Sequence, residues 1–155
     1  MCGCNGFQAA GGGSGGGTLA NPTAVPTWEH VGTFTFADWN VGADTGTVDS
    51  GVIQFSREMF HAIQIKPSQS FQGGALTAYT IAVESGATPI TPGFDVLQDP
   101  GGRVYEMTDF NPPYIGDVDE NKTVYIRASC EGGNLSDATQ GSVDIWFLFS
   151  RMPAP

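Results

Sequence analysis

The run from Ser142 to Ser150, SVDIWFLFS, constrains the fold more than any other stretch of the chain. Val143, Ile145, Phe147 and Phe149 alternate there with Ser142, Asp144, Trp146, Leu148 and Ser150. That is the two-residue period of a β-strand, and the first set is a ready core face. The second set begins polar and then carries Trp146 and Leu148, so it is not a simple solvated face. A strand that is apolar on both sides is normally covered on both sides. In a chain of 155 residues the second cover falls to a loop or to a neighbouring copy, a first sign of an assembly protein.

The rest of the chain repeats this pattern in shorter pieces. Apolar residues at helical spacing are nearly absent, whereas alternating runs broken by Gly, Pro, Asn and Asp recur, which reads as all-β. The length suits one domain with its own core. Eight strands are expected, over 31–39, 48–55, 58–66, 76–84, 93–98, 103–109, 123–130 and 142–150. In the first, Phe34 and Phe36 share a face opposite Val31 and Trp39. In the third, Ile63 and Ile65 alternate with Ala62 and Gln64, and Pro67 ends the run. The fourth sets Tyr79, Ile81 and Val83 against Ala78, Thr80 and Ala82; the seventh turns Val124, Ile126, Ala128 and Cys130 inward, with Tyr125 and Arg127 outward. Without helical crossovers such strands pair antiparallel. The compact solution is a two-sheet β-sandwich, preferably an eight-stranded jelly roll.

Residues 1–28 form a separate region with no charged side chain, centred on the Gly-rich run Gly11–Gly17. Ordering such a segment costs the most backbone entropy and buries little, so it reads as a flexible arm before a domain over 29–155. The arm satisfies GxSxG and GxGxxG by accident, since neither has the strand before it and the helix after it that the chemistry needs. No signal peptide and no run of transmembrane length are expected.

Charge and cysteine usage exclude several classes. The net charge is −10, and the six basic residues are scattered, so binding to a phosphate backbone has no electrostatic footing. The three cysteines, Cys2, Cys4 and Cys130, make neither a disulfide framework nor a zinc set, and Cys130 reads as a small buried hydrophobe. Asp117, Asp119 and Asn121 alternate like the first ligands of a calcium loop. However, Lys122 stands where that loop needs Gly and Ala128 where it needs Glu, so an acidic turn is the plainer reading. His30 and His61 lack metal-ligand spacing, and His61 reads as a hydrogen-bonded core or edge histidine. No nucleophile with its base is marked, so neither enzyme activity nor a cofactor is expected. Trp28, Trp39, Trp146 and Tyr114 offer a sugar-stacking platform or, equally, core and interface packing.

Two longer patches carry a resemblance. The run from Phe71 through Gly73, Gly74, Thr77 and Thr80 to Val83 resembles the F-x-G-G-x-x-T-x-x-T-V-x-V segment of small structural proteins of tailed bacteriophages. Gly133-Asn134-Leu135, followed by Thr139, Gly141-Ser142-Val143-Asp144-Ile145 and Trp146, looks like the G-x-N-L-x-x-x-T-x-G-S-V-D-I close of the same family. Phe94-Asp95-Val96 between them is also similar, and the likeness covers about residues 55–150. Glu84 and Ser85 depart from the Val-Gly the family often has there.

The resemblance implies a β-sandwich virion component made in the bacterial host cytoplasm. A capsid decoration (cement) or head-fibre/vertex protein fits best; a tail, head–tail connector or receptor-binding accessory protein is the alternative. A carbohydrate-binding sandwich module is the reading of a different class. The implied partners are other virion proteins, such as the major capsid protein or tail and portal components, and further copies of the chain, a trimer among them. Nucleic acid and membrane are not expected partners. The contacts would fall to Phe7 and Leu19 as arm anchors and to Trp146 and Leu148 at a subunit interface.

Overall fold

A computed structural model describes residues 25–49, 58–85, 88–106, 109 and 124–151. Nine strands lie among them: β1 (Thr27–Thr35), β2 (Thr45–Asp49), β3 (Glu58–Gln72), β4 (Ala78–Ser85), β5 (Thr88–Pro89), β6 (Phe94–Asp95), β7 (Arg103–Glu106), β8 (Val124–Glu131) and β9 (Gln140–Arg151). They form two antiparallel sheets, one ordered β1-β9-β3-β7 and the other β2-β8-β4-β5, with β6 also paired to β4. The chain is all-β, and the two sheets pack as a sandwich.

The core sits between the sheets where the alternation places it. Val143, Ile145, Phe147 and Phe149 of β9 are buried, as are Val124, Ile126, Ala128 and Cys130 of β8 and Tyr79, Ile81 and Val83 of β4. Ile63 and Ile65 of β3 complete the layer. Every other residue of β9 from Ser142 to Ser150 is half-buried, so the outer face of its sheet is neither open nor sealed.

Several boundaries differ from the expected ones. The first strand begins at Thr27, two residues inside the expected arm, and ends at Thr35. Asp38 Oδ2 accepts from the Thr35 backbone N–H at 2.6 Å and from its hydroxyl at 3.0 Å, curling Phe36–Trp39 into a 3-10 turn. A bulge between His30 and Gly32 then reverses the phase, so Val31 packs on the core side with Phe34. Trp39 is not on an outer face: it is buried and donates its indole N–H to the Ile126 carbonyl at 3.2 Å.

Pro67 does not end β3. The strand continues against β9 to Gln72, with irregular register on either side of Gln69. Proline lacks the N–H a central strand needs, so it belongs on an edge or at a bulge. Here β7 pairs only with Ala62–Ile65, which leaves β3 with the single neighbour β9 among the described residues at Pro67. The expected strand over 93–98 shrinks to Phe94–Asp95, because Asp95 Oδ1 accepts from the N–H groups of Leu97 and Gln98 and turns the chain away. Of the expected strand over 103–109, Arg103–Glu106 is strand and Met107 and Thr108 lie outside the described residues, as does most of the one over 48–55.

One buried group has no partner among the described residues, the Tyr79 hydroxyl. Its ring packs on Phe71 at 4.7 Å and edge-on to Trp39 at 6.5 Å. Burial, with a smaller contribution from Cys130, pushes the phenol far above its ordinary 10.0. A raised folded value leaves stability intact below that ordinary value and erodes it as the pH climbs beyond. Leaving a polar atom unpaired in a core costs about 1–3 kcal/mol. Tyr79→Phe is therefore expected to raise stability by about 1 kcal/mol in urea denaturation and to remove this alkaline contribution; a loss of more than about 1 kcal/mol would mean the hydroxyl has a partner after all.

Candidate interaction face

The residues that gather on one surface do so through strand pairing. On the outer face of the first sheet, Trp28 lies opposite Leu148, His30 opposite Trp146, and Thr33 opposite Asp144. On the other side of β9, Ala62 meets Leu148, Gln64 meets Trp146 and Lys66 meets Asp144. Val104 extends the Gln64 row and Glu106 the Ala62 row. Trp28 and Val104 are each 43% exposed, so the apolar part of this face reaches solvent at both margins. Ala62 is buried without joining the core between the sheets, which fits a small side chain sunk between larger neighbours on the outside.

The polar part is held in place. Thr33 donates its hydroxyl to Asp144 Oδ1 at 2.6 Å, and His30 Nε2 lies 3.6 Å from the same oxygen. The His30 ring packs on Trp146 with centroids 4.6 Å apart. Nearer the end of β9, His61 Nε2 and Ser150 Oγ are 2.9 Å apart. A serine beside a histidine is the start of a nucleophile–base pair, but catalysis also needs the imidazole oriented and an oxyanion held. No carboxylate bonded to the His61 ring is found among the described residues.

The expected site residues fall into three groups. Trp146 and Leu148 lie together on this face, half-buried. Of the four aromatics of the sugar-stacking reading, Trp28 and Trp146 share the face, Trp39 is in the core, and Tyr114 lies outside the described residues. Phe7, Leu19, Asp117, Asp119 and Asn121 also lie outside them, as do Cys2 and Cys4. Among the described residues no three His, Cys, Asp or Glu side chains are grouped to hold a metal ion. Cys130 is buried with its thiol directed at the Gly133 carbonyl, 3.3 Å away. Burial, then Asp44 and Asp137, push that thiol up, away from the thiolate that reactivity requires.

The His30–Thr33–Asp144 cluster was not legible from spacing. Asp144 and Trp146 share a phase in β9, but their partners come from β1, more than a hundred residues earlier, and the bulge sets which of them meet.

The stretches Phe71–Val83 and Gly133–Trp146 meet at a junction, not a site. Thr139 N–H donates to the Gln72 carbonyl at 2.8 Å, and Gln72 pairs with Gln140. Phe71 lies against Gly141, whose φ of +140° suits glycine; a Cβ there would come 2.5 Å from Phe71 Cδ1. A Cβ on Gly73 would come 2.8 Å from the Asp137 carbonyl oxygen. Phe71, Gly73, Thr139 and Gly141 therefore lock the end of β3 to the start of β9. The chain matches no protein-family model and no curated protein sequence. No helix among the described residues is long and apolar enough to cross a membrane.

Proposed function

We propose that the chain is a structural subunit of a tailed-bacteriophage virion, a capsid decoration or head-fibre/vertex protein held by its N-terminal arm. Its body on this reading is an eight-stranded jelly roll, with β5 and β6 as two pieces of one interrupted strand. The observation that carries the reading is the strand order. Apart from β4, β5 and β6, which follow one another within one sheet, successive strands alternate between the sheets, giving β1-β9-β3-β7 in one and β2-β8-β4-β5 in the other. Such interleaving is the arrangement of the double Greek key, an architecture used by viral capsid domains and by lectins. An architecture does not assign a role by itself. The phage-like patches support the reading because they meet at one junction of that fold.

The division of labour follows from composition. An uncharged Gly-rich arm is suited to run along neighbouring proteins and pair with them through its backbone, with Phe7 and Leu19 as anchors. An acidic sandwich is suited to face solvent without aggregating. Deleting residues 2–20 is expected to leave the circular dichroism spectrum of the domain unchanged and to lower the amount of protein that sediments with purified particles. Loading of the truncated chain at full-length level would refute the anchoring role. Absence of the full-length protein from purified particles would refute the virion reading itself.

A further inference from the structure

We propose that the outer face of the β1-β9-β3-β7 sheet is a binding platform for a neutral saccharide. Trp28 and Trp146 are diagonal neighbours on adjacent strands, pointing out of the same side of the sheet. Trp28 is 43% exposed, and the Trp146 ring is steadied by His30. Around the two indoles stand Asp144, Thr33, His30 and Gln64, which together offer donors and acceptors. Asp144 is held by the Thr33 hydroxyl at 2.6 Å before any ligand arrives. A pyranose has the matching surface: a face of C–H groups that lies on an indole, edged by hydroxyls that a carboxylate and an amide can bond.

Charge selects this occupant over a second copy of the chain. Each copy carries a net charge of −10, so bringing two together is opposed electrostatically, and the face offers no basic surplus to offset it. Asp144 lies opposite Lys66 on the neighbouring strand, which leaves the centre of the platform close to neutral. A neutral saccharide adds no charge to either balance. The same balance disfavours anionic ligands, which would need a cationic patch. The platform is a half-covered sheet face and not a cleft, so it contacts one side of a sugar chain, and binding by a single site is weak. The proposal goes beyond the virion reading and concerns the isolated chain, so either can fail without the other.

The three tryptophans make the test. Cellohexaose and maltohexaose are titrated into the full chain while the indole N–H resonances are followed by NMR. At least one sugar is expected to move the Trp28 and Trp146 signals and to leave Trp39, buried in the core, in place. Trp28→Ala and Trp146→Ala should each weaken that binding about tenfold, the equivalent of about 1.4 kcal/mol of lost stacking. An unmoved Trp39 signal in each variant shows that the fold is intact. Asp144→Asn retains a hydrogen-bonding group of the same shape and should weaken binding less than either alanine variant. The proposal is overturned if neither sugar shifts the two outer indoles up to millimolar concentration. It is equally overturned if Trp28→Ala and Trp146→Ala bind as well as the parent chain. Concentration-dependent dimers that Trp146→Ala abolishes would assign the face to a second copy instead.

Discussion

Ile145→Asp is expected to abolish the folded, soluble protein. Ile145 has no exposed surface and pairs with Gly32 on one side and Ile65 on the other, at the middle of the first sheet. A carboxylate there must either stay charged without solvent or take up a proton, and both options cost several kcal/mol. The isoleucine burial lost with it was itself worth about 1.5–3 kcal/mol. A domain of this size has a total margin of about 5–15 kcal/mol, so most of it is consumed. The matched control is Leu148→Asp, three residues on and half-buried on the opposite face of the same strand. That variant is expected to stay folded, because its carboxylate reaches water. Circular dichroism and solubility decide the comparison. A native spectrum for Ile145→Asp would show that the strand faces are assigned the wrong way round.

Trp39→Ala is expected to lower stability by about 3–5 kcal/mol, the usual cost of emptying a large aromatic site. Trp39 is 1% exposed, lies 6.0 Å from Phe34 and 6.5 Å from Tyr79 between ring centroids, and bonds the Ile126 carbonyl through its indole. The truncation therefore opens a cavity and also leaves that carbonyl without its indole donor, where water is scarce. For a chain of this length the melting temperature should fall by about 10 °C or more. Trp39→Phe, which keeps most of the packing and loses the N–H, should cost about 1–2 kcal/mol. If Trp39→Ala melts within about 2 °C of the parent chain, the indole is not in the core.

These two residues mark what the linear pattern conveys well and badly. Ile145 lies in an unbroken alternation, where each side chain's face follows from its neighbour's, and every inward residue expected in β4, β8 and β9 is buried. Trp39 lies past a bulge and at the end of a 3-10 turn, each of which cancels the parity on which alternation depends. The signals for that turn were present, in Thr35 and Asp38 at capping distance, but a capping residue announces a turn only once the chain is known to stop pairing there. Pro67 misleads in the other direction. A proline stops a strand that is paired on both sides, and whether both sides are paired at that point is a property of β7, not of the residues near Pro67.

The candidate face divides in the same way. That Trp146 and Leu148 face outward on an otherwise polar phase is set by the order of residues in β9, because a strand's period is fixed by backbone geometry. That Trp28, His30 and Thr33 stand beside them depends on β1 pairing with β9 in one register, offset by the bulge. Local order thus determined the all-β class, the inward faces of the long strands and the presence of an apolar outer stripe. Only the tertiary structure decided which strands are neighbours, where β3 ends and which side chains share a surface. Those are long-range pairings, chosen by the fit of whole sheets against each other, and no short window of residues contains them.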